Sequence, residues 1–154
     1  MENSLKAILI GAGVVITMVV VSIGFILMRS GQNTALTTIG KLDQINVEMS
    51  ESQYTIYDGT EVSGSTVVEA VRKFKGEHIG IYIRTNKNPS GTWYINNVTI
   101  TDNTGEINAS GSVGAISELN YETSDKYVNR NAKFSGEIIR DKNGTIVALV
   151  FTQK

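Results

Sequence analysis

The chain has 154 residues, with 14 basic and 15 acidic side chains, one histidine, one proline, 15 glycines and no cysteine. Without cysteine there is no disulfide framework, no thiolate zinc site and no cysteine nucleophile. A net charge of −1 argues against nucleic-acid binding, which draws on a basic surface to displace counterions.

The charge is unevenly placed. Ala7 to Met28 is an uncharged run of 22 residues, and 27 of the 29 charged side chains, all but Glu2 and Lys6, follow it. At 1.5 Å per residue such a run spans roughly 33 Å as a helix, about the hydrocarbon thickness of a bilayer. A cleavable secretory signal has a shorter apolar core and ends at small residues. Here the run leads into Met28-Arg29-Ser30-Gly31-Gln32-Asn33, so a retained membrane segment is expected. The slight positive bias of Lys6 and the terminal amine places the N-terminus inside. The Ser, Thr and Asn of residues 50–154 match an exported domain outside the cytoplasm.

The apolar pattern does not stop at Arg29. Steps of four and three pick out Thr17, Val21, Gly24, Met28, Gly31, Ala35, Thr38, Leu42, Ile45 and Met49, with no proline before residue 50. A 3.5-residue period keeps one helix face toward a partner, which predicts one helix of about 45 residues, half in lipid and half in water. Gly31 and Gly40 are weak points where it could fray or kink. Within lipid, Gly13, Thr17 and Gly24 fall on one side, and small residues there let backbones approach closely. The predicted self-association face is therefore Gly13, Thr17, Val21, Gly24, Met28, Gly31, Ala35, Leu42, Ile45 and Met49. Beyond the membrane, Leu42, Ile45 and Met49 face either the chain's own domain or a neighbouring helix.

From Ser52 the period changes. Tyr54, Ile56 and Tyr57 read as a short β-like run ending at Asp58-Gly59. A helix capped by Ser63 or Ser65 follows over residues 66–74, with Val67, Val71 and Phe74 on one face. Ile79, Ile81 and Ile83 alternate as in a strand with one buried face. Residues 86–91 read as a turn, and Trp93 to Thr101 as the returning strand. Asp102-Asn103-Thr104-Gly105 is another turn, and Ser124 to Val128 a brief helix. Phe134–Ile139 and Thr145–Thr152 flank Asp141-Lys142-Asn143-Gly144, whose Asn-Gly pair favours a tight hairpin.

The predicted organisation is a short leader or cytoplasmic tail (1–6), a transmembrane helix continuing as an amphipathic one (7–50), and an extracytoplasmic domain (51–154). The fold class is α+β, a long N-terminal helix followed by a small, mainly antiparallel sheet of five or six strands with one packed helix.

A short leader, a long helix apolar in its first half and amphipathic in its second, and a small β-rich domain resemble the plan of type IV pilin-like and archaellin-like filament subunits. Lys6, Ala7 and Ile8 resemble the basic-small-apolar junction cut by prepilin-type peptidases. The family's glutamate, at the fifth position counted from Ile8, is replaced by Ala12. The resemblance covers roughly residues 1–50. It implies assembly through the N-terminal helix into a filament or an envelope-spanning apparatus.

Reactive groups are few. His78 is the only histidine, and no serine lies in a Gly-x-Ser-x-Gly elbow. Asp141-x-Asn143-Gly144 and Asp102-x-Thr104-Gly105 resemble fragments of calcium loops but lack the closing glutamate, and read as hairpin turns. Gly111-x-x-Gly114 lacks the lysine of a phosphate loop. No catalytic residue, metal site or cofactor is therefore predicted. Aromatic side chains offer one candidate binding patch, Tyr82, Trp93 and Tyr94, although strand alternation sends Trp93 and Tyr94 to opposite faces. The leading expectation is a non-enzymatic, single-pass membrane protein. Its partners are the lipid bilayer and, through the helix, copies of itself or other membrane subunits. A membrane-tethered module that binds a peptide or glycan is the alternative.

Overall fold

The computed structural model describes residues 1–154, which form two compact units, Met1–Glu48 and Met49–Lys154. The first unit is part of a single helix, α1 (Glu2–Thr55), 54 residues long. It runs unbroken through Gly31 and Gly40, and it extends beyond the predicted end at residue 50. One window of α1 reaches a mean hydropathy of 2.6, which makes it the one helix long and apolar enough to cross a membrane. Its hydroxyls are satisfied within the helix: Thr17 Oγ1 donates to the Gly13 carbonyl at 2.8 Å and Ser22 Oγ to that of Met18 at 2.7 Å. A hydroxyl bonded four residues back presents no free donor to lipid.

The β-like run expected at Tyr54, Ile56 and Tyr57 is instead the last turn of α1 and a turn after it. Helix extension wins because Tyr54 and Tyr57 have a place to pack: Tyr54 lies on Phe74 with ring centroids 4.8 Å apart, and Tyr57 meets Phe151 edge-on at 5.7 Å. Burial of the rings outweighs their strand preference.

The second unit continues with β1 (Glu61–Ser63), α2 (Gly64–Lys73), β2 (Gly80–Arg84), β3 (Thr92–Tyr94), β4 (Asn97–Thr101), β5 (Thr104–Asn108), a 3-10 turn (Ile116–Asn120), β6 (Lys133–Arg140) and β7 (Ile146–Gln153). The strands form one mixed sheet in the order β3-β2-β7-β6-β5-β4, with β1 on the free side of the first half of β6. Two pairings are parallel, β2 with β7 and the single-residue contact of β5 with β6; the others are antiparallel. Ser63 caps α2, its Oγ accepting from the Thr66 amide. The cap orients α2 so that Val67, Val71 and Phe74 face the sheet, and all three are buried.

Alternation along the strands, shifted by a bulge at Val147 that turns it to the same side as Ala148, builds two cores. On one face Ile81, Ile83, Leu149, Phe151 and Phe134 pack against α2 and the end of α1. On the other, the β4–β5 hairpin lays Val98 over Ile139, Val147 and Ala148.

The expected strand from Trp93 to Thr101 is two strands. The break falls at Ile95, whose φ of 70° turns the chain from the edge of the main sheet into the hairpin. Residues 102–103 form a two-residue turn with both residues at positive φ, 50° and 64°, as a type I′ turn requires. The Asn143-Gly144 hairpin forms, but only Gly144 lies at positive φ, at 85°. Asp141 instead organises a longer loop, its carboxylate accepting from the amides of Asn143 and Thr145. Ser124 to Val128 is not a helix but successive turns; the short helical segment lies at 116–120.

Candidate functional site

At about 100° per residue, Thr17, Val21, Gly24, Met28, Gly31, Ala35, Thr38, Leu42, Ile45 and Met49 fall within about 120° on α1. Gly13 joins them at the lipid end. Every residue of α1 up to Ser50 is exposed in the single chain, including Leu42, Ile45 and Met49 at 54%, 49% and 64%. Gly13, Gly24 and Gly31 have nothing within 4 Å of where a Cβ would stand, so their smallness serves no contact inside the chain. Lys6, Ala7 and Ile8 also lie within α1 and are exposed.

The domain grips the last turns of α1 through Glu51 and Tyr54. Arg140 Nη1 donates to both carboxylate oxygens of Glu51, at 3.2 and 3.1 Å, and Tyr54 covers Phe74. Glu51 and Tyr54 lie about 140–160° around the helix from Met49. Met49 is thus directed away from the domain that holds its own turn. No sequence signal marked Glu51 or Arg140, because pairing across 89 positions leaves no local pattern.

The three aromatic residues separate. Tyr94 belongs to the core, at 1% exposure, and burial pushes its hydroxyl up to about 12; it drops out of the predicted patch. Tyr82 and Trp93 pack on each other on the opposite face of the sheet, half-buried, with ring centroids 4.7 Å apart and planes tilted by 38°, and Trp93 also lies against the Val98 core. Arg84 stands 5.5 Å from the Tyr82 ring. The Tyr82 hydroxyl donates to the Ser90 carbonyl.

His78 is exposed on the loop between α2 and β2. The Asp102 and Asp141 turns meet at the Thr104–Arg140 pairing and line one cleft of about 400 Å³ with Glu106 and Lys142. The Asp141 carboxylate is already spent on its own loop, and no three His, Asp or Glu side chains converge to hold a metal. A further cluster escaped sequence reasoning: Glu61 accepts from Lys133 at 2.9 Å and Lys154 at 2.8 Å. The two ammonium groups hold its carboxyl down at about 2. These three tie β1 to β6 and to the end of β7.

No protein-family model, curated protein or solved structure matches the chain.

Proposed function

We propose that the chain is a non-enzymatic, single-pass membrane protein. In this reading it is a structural subunit of a pilin-like filament or envelope-spanning apparatus, with its C-terminal domain outside the cytoplasm. The observation that carries the reading is the row of small and apolar residues from Gly13 to Met49, which stays within an arc of about 120° on an α1 that is exposed all round. A plain anchor needs about 20 apolar residues and gains nothing from a packing face that continues into water. In lipid the glycines bring backbones together; in water Leu42, Ile45 and Met49 add apolar burial. The bilayer is one partner, and copies of the same helix, or a related subunit's helix, are the other.

The test is Gly24→Leu in the full chain. The site is open in the monomer, so insertion and the domain fold are retained while sedimentable or cross-linkable assemblies are lost. Assembly unchanged by this substitution overturns the proposal. Mass spectrometry of the mature N-terminus gives an independent check, since a start at Ile8 supports peptidase-dependent assembly and a start at Met1 counts against it.

A further inference from the structure

We propose that Asn143 is a site of spontaneous covalent modification, deamidation through its bond to Gly144, and that the fold withholds the same chemistry from Asp58-Gly59. Asn143 is the only asparagine that precedes a glycine, and Asp58 the only aspartate that does. Both can close the same five-membered ring. The amide nitrogen of the glycine gives up its proton to solvent and bonds to Cγ of the residue before it. At Asn143 the Cγ–Nδ2 bond breaks, and the leaving nitrogen takes up a proton and departs as ammonia. At Asp58 the protonated carboxyl loses water. Water then opens the succinimide at either carbonyl, giving an aspartyl residue or an isoaspartyl one, whose backbone runs through Cβ and Cγ. Glycine favours closure because no Cβ crowds the attacking nitrogen and its backbone is the least restricted.

Exposure does not separate the two sites, since Asp58, Gly59, Asn143 and Gly144 are all exposed. Their hydrogen bonds do. Asp58 Oδ1 accepts from the Ile138 amide at 3.2 Å, and the Gly59 amide donates to the Gly136 carbonyl at 2.9 Å. Carboxyl and nitrogen are each held by β6, so ring closure there waits on both bonds opening at a strand paired on its two sides. The Gly144 amide instead donates to the Asp141 carbonyl at 3.1 Å, within its own turn. The other bonds of that loop run from the amides of Asn143 and Thr145 to the Asp141 carboxylate, so they hold the backbone and leave the Asn143 side chain in water. A turn at a hairpin end opens locally, at far less cost than lifting a segment from the sheet. The product alters its surroundings. Its carboxylate adds a negative charge to the cleft lined by Asp102, Glu106 and Asp141. The isoaspartyl form adds a backbone carbon just before Gly144, whose carbonyl accepts from Arg140 Nη1, the group that also holds Glu51.

The full chain is incubated in detergent micelles, folded or unfolded in urea, at mildly alkaline and mildly acidic pH, the conditions that favour reaction of an asparagine and of an aspartate respectively. Peptide mapping by mass spectrometry reads the change from amide to acid, and methyl transfer by an isoaspartyl methyltransferase reads the isoaspartyl product. In the folded chain, Asn143 is expected to react ahead of every other asparagine, faster as pH rises, and to take up the methyl label. Asp58 is expected to gain the label about tenfold or more faster in urea than when folded. Asn143→Gln, which cannot close the five-membered ring, is expected to remove the label from the folded chain. The proposal is overturned if the folded chain forms no product at Asn143, or if another asparagine reacts first. Labelling of Asp58 at equal rates in the folded and unfolded chains also overturns it.

Discussion

Tyr54 lays its ring on Phe74, 4.8 Å between centroids, and so makes the last turn of α1 a part of the domain's core. Phe74 also meets Tyr57 edge-on at 6.3 Å and is itself buried. Phe74→Ala removes both aromatic contacts and leaves a cavity, and is expected to cost about 3–5 kcal/mol. Urea unfolding of the detergent-solubilised chain, followed by Trp93 emission, measures the loss. Tyr54→Phe keeps the ring and is expected to leave the midpoint within about 0.5 kcal/mol of the parent.

The Glu61 cluster gives a pH dependence whose sign is fixed. Its carboxyl titrates at about 2 when folded, against an ordinary glutamate value of 4.5, so its stabilisation is present above pH 4.5 and is lost as pH falls toward 2. The Lys133 ammonium is shifted upward by the same carboxylate; its share is present below the ordinary lysine value of 10.5 and is lost as pH rises through the folded one. Glu61→Gln is expected to flatten the melting temperature against pH between about 5 and 2. At neutral pH the variant differs little from the parent, because all three side chains are solvent-exposed and screened.

At the alkaline end, Tyr94 resists ionisation. Burial of the hydroxyl, with Glu118 nearby as a second cause, raises it from 10.0 to about 12. The neutral form stabilises the fold below pH 10, and that contribution is lost as pH rises through 12. In an ultraviolet titration, one tyrosine is therefore expected to ionise last. Tyr94→Phe removes that final step.

Two glycine substitutions are expected to move stability in opposite directions. Gly40→Ala, on the helix with nothing within 4 Å, is expected to protect the amides of α1 from exchange by up to about 1 kcal/mol. Gly144→Ala puts a side chain at φ +85° in the β6–β7 loop and is expected to cost about 1 kcal/mol, read as a lower melting temperature.

The elements with an unbroken period were legible in the sequence: α1 from its apolar run and seam, α2 from its cap and the Val67-Val71-Phe74 face, β2 from alternating isoleucines, and the β6–β7 hairpin. The elements defined by distant contacts were not. Tyr54 and Tyr57 carry strand propensity, yet they sit at a helix end because Phe74 and Phe151 are there to receive them. Ile95 gives no local sign of a positive φ, which β-branched residues rarely adopt, so the break between β3 and β4 was hidden. β5 has only Ile107 as an apolar marker and a turn without glycine before it. Of the aromatic patch, alternation predicted that Trp93 and Tyr94 would part; only the fold shows that Tyr94 is the one taken into the core.

The amide of Gly59 donates to the Gly136 carbonyl at 2.9 Å, and the amide of Gly136 to that of Thr60 at 3.0 Å. The carbonyl of Tyr57 fills the space where a Cβ on Gly136 would stand. Residues 57–60, just past the helix, are therefore laced to the middle of β6, and Glu51 is tied to Arg140 at that strand's end. Mechanically, the chain leaving α1 is no slack tether. Residues 51–60 come away from β6 only when the Glu51–Arg140 pair and these backbone bonds have all opened. The joint after α1 is thus held by backbone bonds as well as by side chains.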